Sequence, residues 1–80
     1  MWTVYIVRCR GNSLYTGVTT DITRRVKEHN SGKGAAHTRS HLPVKLVYSE
    51  RYRSRVRAYK REAQIKSWTR QKKLVLIGQN

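Results

Sequence analysis

The first nine residues alternate in a pattern that is typical of a β-strand. Apolar side chains occupy both registers of the alternation, so we expect a strand that is covered on both faces. The one cysteine of the chain falls here, which excludes an internal disulfide or a cysteine-rich zinc site and predicts a small core residue. The registers hold Val4 and Ile6 on one face, and Tyr5, Val7 and Cys9 on the other.

A second strand is predicted over residues 14–18, after a turn at Gly11-Asn12-Ser13. Tyr15 of this strand and Tyr5 of the first then lie on neighbouring strands. Cross-strand side chains approach each other to within about 5 Å. The hairpin therefore predicts that the two phenols can share one small site.

The rest of the chain contains helix caps and apolar residues at helical spacing. Thr19, Thr20 and Asp21 offer an N-cap and a first-turn acid for a short helix, in which Ile22, Val26 and His29 recur at helical spacing. That helix is expected to stop at residues 30–32, where Asn-Ser-Gly follows. The other predicted elements are an irregular loop over 31–43, a strand over 44–48, a helix from a Ser54 cap to about Thr69, and a last short apolar segment over 74–77 that could form a terminal helix.

This order of elements predicts one α+β domain over residues 1–80. Strand, strand, helix, strand and helix, with one long connection, favour a three-stranded sheet, at least partly antiparallel, flanked by helices. A chain of 80 residues has a small core. A polar residue on an apolar face is therefore costly and needs a specific reason.

The charge of the chain indicates a polyanionic partner. It has 18 Lys and Arg against 4 Asp and Glu, a formal charge of +14 that would destabilise a compact monomer by self-repulsion. Nucleic acid is the leading partner, because a basic surface gains affinity by releasing counterions from phosphates. A solvated cationic surface and an anionic membrane are the alternatives, and the basic residues do not form the amphipathic terminal helix that membranes favour. We expect a cytoplasmic protein, since neither a secretion signal nor a membrane-spanning stretch is evident.

Two charged residues lie on helix faces that should point inward. Glu62 has mostly apolar neighbours one turn away, so its carboxylate needs a cation: either a salt bridge to Lys66 or a nearby arginine, or a bound metal. Arg25 lies between Ile22 and His29 on the inward edge of the first helix, where a guanidinium can hold a phosphate through two bonds. Alternatively, its stem covers apolar surface while its head stays in water.

Together these side chains suit phosphodiester hydrolysis. A carboxylate that holds one divalent cation, an arginine that neutralises phosphoryl oxygens, and a tyrosine or histidine that orients or deprotonates water are the parts this chemistry needs. With one carboxylate in the set, a one-metal site is favoured over two.

The same residues, in their order, resemble the GIY-YIG nuclease superfamily. Tyr5 stands in Val-Tyr-Ile, Tyr15 in Tyr-Thr-Gly, Arg25 and His29 follow, and Glu62 precedes Ile-Lys. The runs Leu-Tyr-Thr-Gly-Val-Thr-Thr-Asp, Gly-Lys-Gly-Ala and Arg-Glu-Ala-Gln-Ile-Lys are similar to those of its small single-domain members, and the match covers nearly the whole chain.

This resemblance implies a compact domain with a three-stranded antiparallel sheet that hydrolyses DNA, with RNA as the alternative, using Mg²⁺ or Mn²⁺. It implies that Glu62 is the metal ligand and that Arg25 stabilises the phosphate. Tyr5 and Tyr15 line the site, one of them being a candidate general base, and which one is open. It further implies a structural Gly17, a catalytic His29 unless that ring only contacts the helix-terminal carbonyls, and substrate contacts at Lys33, His37, Arg39 and Lys45.

The chain departs from the family pattern at three points. Thr3-Val4-Tyr5 replaces Gly-Ile-Tyr, Thr16 replaces a branched apolar residue, and the asparagine that many members carry beyond the glutamate helix has no counterpart except Asn80. The leading hypothesis is a DNA endonuclease, a monomer or weak dimer acting on structured or damaged DNA in repair or recombination. The alternative is a basic nucleic-acid-binding module that has kept the fold and lost turnover.

Overall fold

The computed structural model describes residues 1–78. At its centre is a three-stranded antiparallel sheet in the order β2-β1-β3. The strands are β1 (Trp2–Cys9), β2 (Leu14–Thr19) and β3 (Val44–Tyr52), and the helices are α1 (Ile22–Asn30), α2 (Ala36–Arg39), α3 (Arg55–Lys66) and α4 (Arg70–Gly78). The predicted fold class is confirmed, and the sheet is antiparallel throughout the described residues.

The central strand β1 is covered on both faces, as its alternation predicts. Val4 and Ile6 pack with Ala58 and Ile65 of α3, and we call this side the α3 face. Tyr5, Val7 and Cys9 point the other way and pack with Val44, Tyr15, Ile22 and Leu42 on what we call the α1 face. Cys9 is a buried free thiol, which confirms its place in the core.

Local signals placed the turn, the start of α1 and the Ser54 cap correctly, but Asp21 is itself the cap of α1, which has no acid in its first turn. Gly11 and Asn12 adopt positive φ values of 87° and 70°, which a tight hairpin turn between twisted strands requires. The Asp21 carboxylate accepts a hydrogen bond from the Arg24 amide at 3.1 Å, and Ser54 Oγ accepts one from the Arg57 amide at 3.2 Å.

Four predicted boundaries were wrong. The segment 31–43 is not wholly irregular, because α2 forms inside it and the Thr38 hydroxyl donates to the Ala35 carbonyl at 2.8 Å. The second strand extends to Thr19, and β3 runs on to Tyr52 because it pairs with β1 as far as Trp2. The long helix ends at Lys66 and α4 begins at Arg70, where Thr69 Oγ1 accepts from the Lys72 amide at 3.3 Å and starts a new helix.

Candidate active site

The candidate site is built around Tyr5, whose ring lies across the neighbouring strand. Tyr5 is paired with Gly17 in the β1–β2 register, and a Cβ on Gly17 would lie 2.5 Å from Tyr5 Oη. Any side chain at this position would collide with the phenol, so the close approach of the ring requires glycine here. The two tyrosines are therefore not direct partners. Tyr15 pairs with Val7, so the two phenols lie diagonally on the same face of neighbouring strands.

His29 joins the two tyrosines. Its ring is fully buried and makes edge contacts with both phenols, at centroid distances of 5.9 Å from Tyr5 and 5.5 Å from Tyr15. Tyr5 Oη lies 2.9 Å from His29 Nε2, and His29 Nδ1 lies 2.9 Å from Thr38 Oγ1. The ring thus contacts side chains and not the helix-terminal carbonyls, so that alternative for His29 was wrong.

The direction of these hydrogen bonds follows from Thr38, which lies at the outer end of the row. Because the Thr38 hydroxyl donates to the Ala35 carbonyl, its oxygen accepts from His29 Nδ1–H. Nε2 then carries the lone pair and accepts the proton of the Tyr5 hydroxyl. Burial, and then the charge of Arg25, lower the pKa of His29, which agrees with a neutral ring.

Arg25, on α1, contacts the Tyr5 hydroxyl. Its Nε donates to Tyr5 Oη at 3.4 Å, a long contact, and its Nη1 forms an ion pair with Glu28 at 3.2 Å. Within residues 1–78, Nη2 has no partner. The head of Arg25 is therefore held by hydrogen bonds, with donor capacity left over, and its side chain is 29 % exposed.

The tyrosine hydroxyls differ in environment. Tyr5 is 1 % exposed and its oxygen is bonded to both His29 and Arg25. Burial raises the pKa of Tyr5, and the hydrogen bond and charge of Arg25 oppose that rise without cancelling it. Tyr15 is only partly buried, and its hydroxyl forms no hydrogen bond with the described part of the chain. Tyr5 is thus a buried, protonated donor, whereas the Tyr15 hydroxyl has no hydrogen-bond partner among residues 1–78.

Glu62 lies on α3, which packs against β1 and the edge strand β2. Its negative charge contributes to the raised pKa of Tyr5, though less than burial does. Glu62 Oε2 pairs with Lys66 Nζ at 3.4 Å, so the salt bridge foreseen from the sequence is present. Lys66 is half exposed, whereas the Glu62 side chain is 16 % exposed. Glu62 Oε1 has no partner among residues 1–78.

The Glu62 carboxylate suits a weakly coordinated divalent ion. Its Oε1 has no partner among residues 1–78, and its Oε2 is paired with a surface lysine that a cation can displace. Mg²⁺ keeps several waters and is commonly held by one or two carboxylates and substrate phosphates. In the described residues no group of three or more histidine, cysteine, aspartate or glutamate side chains could hold a metal ion. Asn80, the counterpart considered for the family asparagine, lies outside the described residues.

The four predicted substrate contacts lie on the surface, on or beside α2 and β3. Lys33, His37, Arg39 and Lys45 are all exposed. His37 Nε2 lies 3.1 Å from Ser13 Oγ, and its ring stacks on His41 at 4.7 Å, so it is tied to the β1–β2 turn and not to the tyrosine site.

Sequence reasoning missed the supports of His29. A Cβ on Gly34 would lie 2.1 Å from His29 Nδ1, so only glycine allows the loop to close over the ring, and Thr38 then fixes its tautomer. The Asn30 side chain also bonds the backbone of Val44 at both ends, at 2.7 and 3.2 Å, which ties α1 to β3. These partners lie up to 14 residues apart, and no local pattern marks them.

Comparison with known proteins agrees with this arrangement. Residues 1–74 match the family model described as the GIY-YIG catalytic domain. The chain is 51 % identical over 74 residues to a UPF0213 protein of Staphylococcus haemolyticus, covering 92 % of this chain and 90 % of that one. It is 57 % identical over 70 residues to a UPF0213 protein of Haloquadratum walsbyi, covering 88 % and 79 %.

Solved structures give the same result. The solution NMR structure of a UPF0213 protein from Bacillus halodurans aligns with a TM-score of 0.66 and 42 % identity, covering all of this chain and 86 % of that one. A solution NMR structure from E. faecalis aligns with a TM-score of 0.61 and 40 % identity, covering 92 % and 80 %. Among residues 1–78, no helix has the length and apolar character to cross a membrane.

Proposed function

Because the chain belongs to the GIY-YIG family, whose domain is that of a nuclease superfamily, we propose that it is a metal-dependent endonuclease that hydrolyses DNA phosphodiester bonds. The observation that carries the proposal is the grouping of Arg25 and Tyr15 around a buried Tyr5–His29 pair, with the charge of Glu62 acting on the Tyr5 hydroxyl. The charge of +14 supports a nucleic-acid substrate.

The five predicted catalytic residues differ in how deeply they are buried. Tyr5 and His29 are 1 % and 0 % exposed, so we assign them to positioning: Tyr5 donates to His29 and holds Arg25 in place. Arg25, Tyr15 and Glu62 are more exposed and are the groups that we assign to substrate, water and metal. In this scheme Tyr15 orients the attacking water, because its hydroxyl is free.

Glu62 would hold a single Mg²⁺ or Mn²⁺ ion, which supplies positive charge to the phosphate and to the leaving oxygen when bound. Arg25 contributes its free Nη2 donor to the phosphoryl oxygens, where charge grows during the reaction. Lys66, which pairs with Glu62 in this structure, moves into water when the carboxylate takes a cation. Exposed Lys33, Arg39 and Lys45 contact backbone phosphates without reading bases.

The test is cleavage of linear, nicked and branched DNA with Mg²⁺ or Mn²⁺, comparing wild type with Glu62→Gln. We expect cleavage in the wild type and its loss in the variant. Asp21→Asn is the matched control: it removes one carboxylate and the same charge, keeps a good helix cap, and should keep cleavage. Cleavage that persists in Glu62→Gln would overturn the metal-ligand role, and preference for branched or nicked DNA would support a role in repair or recombination.

The Glu62–Lys66 ion pair favours one rival: a nucleic-acid-binding module without turnover. Under this rival, the Glu62 carboxylate only forms a structural ion pair with Lys66. The rival predicts steeply salt-dependent binding, no metal-dependent products from any of these substrates, and equal binding by wild type and Glu62→Gln.

A further inference from the structure

The outer side of α3 carries an apolar groove that the folded chain leaves open. It has a volume of about 520 Å³ and is lined by Arg55, Val56, Tyr59, Lys60 and Ala63. Val56 is 62 % exposed and Tyr59 is 43 % exposed, although the opposite side of the same helix packs on the sheet through Ala58 and Ile65. The helix therefore has a second apolar stripe that contributes nothing to the core.

Aromatic rings and a cation meet at one end of this groove. The Trp2 and Tyr59 rings lie 5.9 Å apart, and the Arg55 guanidinium lies over both, 5.6 Å from the Trp2 centroid and 5.4 Å from the Tyr59 centroid. Such a cation–π cluster holds the rings in place and places positive charge beside an apolar, flat surface. Stacking of nucleobases on aromatic and arginine side chains uses the same combination.

The charges around the groove favour an anionic partner. Its lining contains Arg55 and Lys60 and no acidic residue, and exposed Arg53 and Arg57 lie close by in sequence. A second copy of the chain would bring these cations against each other in a symmetric contact, which like-charge repulsion opposes. An anionic partner with flat apolar groups satisfies both the charges and the rings.

We propose that the outer face of α3, centred on Tyr59, binds an unpaired DNA strand by base stacking on Tyr59 and phosphate contacts to Arg55 and Lys60. In a duplex the base faces are already stacked, so the exposed ring selects an unpaired strand. Tyr59 precedes Glu62 by three residues, a spacing that makes them neighbours on the helix surface. An unpaired strand in the groove therefore passes beside the candidate metal ligand.

This inference rests on the proposed nucleic-acid substrate but not on turnover, so its test uses no divalent metal. Fluorescence anisotropy at fixed salt gives dissociation constants for three labelled probes: an oligothymidylate of about 16 nucleotides, the upper end of site sizes for a single small domain, an abasic strand of equal length, and a hairpin duplex. Tyr59→Ala should weaken binding of the oligothymidylate by about 5- to 150-fold, the loss of one stacked base.

The other two probes should show no change with Tyr59→Ala, because they offer the same phosphates without accessible base faces. Tyr59→Phe keeps the ring and should retain wild-type affinity, which separates stacking from a role of the hydroxyl. Lys60→Gln should weaken all three probes and lower the salt slope for the single strand by about 0.7. Thermal unfolding checks that each variant is folded.

Three outcomes would overturn the inference. The first is an oligothymidylate affinity that Tyr59→Ala leaves unchanged, and the second is an equal loss on the abasic strand. The third is that Tyr59→Ala abolishes self-association in sedimentation, or binding to phosphatidylserine vesicles, while DNA binding stays intact. That result would assign the groove to a second copy or to a membrane.

Discussion

Each face of the sheet carries two tyrosines and one arginine around a single acceptor, and the two sets differ in what they leave unused. On the α3 face, Tyr48, Tyr52 and Arg61 surround Glu50. The Tyr48 hydroxyl donates to Oε2, the Tyr52 hydroxyl donates to Oε1 at 2.7 Å, and Arg61 donates to both oxygens at 2.9 and 3.1 Å. Four donors satisfy the carboxylate completely.

The arginine of this set has a hydrogen-bond partner at each of its three nitrogens. Arg61 Nη1 donates to Gln64 Oε1 at 2.8 Å, and its guanidinium lies 5.1 Å from the Trp68 ring centroid. Burial raises the pKa of Glu50, but hydrogen bonds from Arg61, Tyr48 and Tyr52 outweigh it, and the pKa lies below its ordinary value. Burial and the bond to Glu50 raise the pKa of Tyr48 to about 12. This cluster joins β3 to α3 and has no capacity for a ligand.

On the α1 face the acceptor is a neutral imidazole, and the set stays open. With respect to residues 1–78, Arg25 has an unpartnered Nη2 and Tyr15 has an unpartnered hydroxyl, and Glu62, which lies on α3, adds an unpartnered Oε1. The same residue types thus build a structural clamp on one face and a candidate site on the other. What distinguishes them is the hydrogen-bonding capacity that the fold leaves over.

The largest effect that would separate the two sets comes from the two arginines. Arg25→Gln should lower turnover on the DNA that the wild type cleaves by about 10²–10³-fold, the usual loss for one group aimed at developing charge. Its stability should change by no more than about 1 kcal/mol, since its ion pair with Glu28 is partly exposed and its contact with Tyr5 Oη is long, at 3.4 Å. Turnover and urea unfolding measure the two quantities.

Arg61→Gln is the matched control on the α3 face. It leaves a part-buried carboxylate without its cation, so we expect a loss of about 2–4 kcal/mol in the free energy of unfolding. Turnover per folded molecule should stay at the wild-type level. Equal losses of turnover in both variants, at a temperature where both are folded, would contradict the distinction between clamp and site.

Local sequence signals predicted most of the fold. The alternation of residues 2–9 assigned the two faces of β1 correctly, and Asp21 and Ser54 marked the starts of two helices, because each signal acts over a few residues. The extension of β3 was missed, although Tyr48, Glu50 and Tyr52 recur at a spacing of two, which is the signal of one strand face. That pattern would have found the clamp as well.

The depth of the candidate site residues could not be predicted from the sequence. Spacing indicated that Tyr5, Tyr15, Arg25, His29 and Glu62 belong together, yet it does not tell which of them reach the surface. Depth depends on Gly17 letting the Tyr5 ring cross β2 and on Gly34 letting the loop close over His29. Both contacts join segments that are distant in sequence, and their register is set only when the sheet and helices pack.

The two acceptors should also titrate in different pH ranges. The folded pKa of His29 lies below its ordinary 6.5, so below about pH 6.5 the unfolded chain binds a proton that the folded chain does not, and stability falls toward the folded pKa. Glu50, lowered from 4.5, loses stability in the same sense only below about pH 4.5. For one proton the slope is at most about 1.4 kcal/mol per pH unit.

Urea unfolding between about pH 2 and 8 measures both ranges. His29→Gln should remove the loss of stability below about pH 6.5 and keep the loss below about pH 4.5. Glu50→Gln should remove the loss below about pH 4.5 and keep the one below about pH 6.5. His37 and His41 are not buried, so they remain in both variants as a common background. If stability still falls below about pH 6.5 in His29→Gln, the imidazole is not the group that the fold holds neutral.

The smallest effect separates the two phenols of the candidate site. Tyr5→Phe removes a hydroxyl that is bonded to His29 and Arg25, and leaves His29 Nε2 buried without a donor, so we expect a loss of about 1–3 kcal/mol of stability. Tyr15→Phe removes a hydroxyl without a partner in residues 1–78 and should change stability by less than about 0.5 kcal/mol. If Tyr15 orients water, its variant loses turnover while staying as stable as the wild type, because only the reaction uses its hydroxyl. The reverse result, full turnover in Tyr15→Phe and none in a still-folded Tyr5→Phe, would assign the water to Tyr5 and require the buried phenol to become accessible when DNA binds.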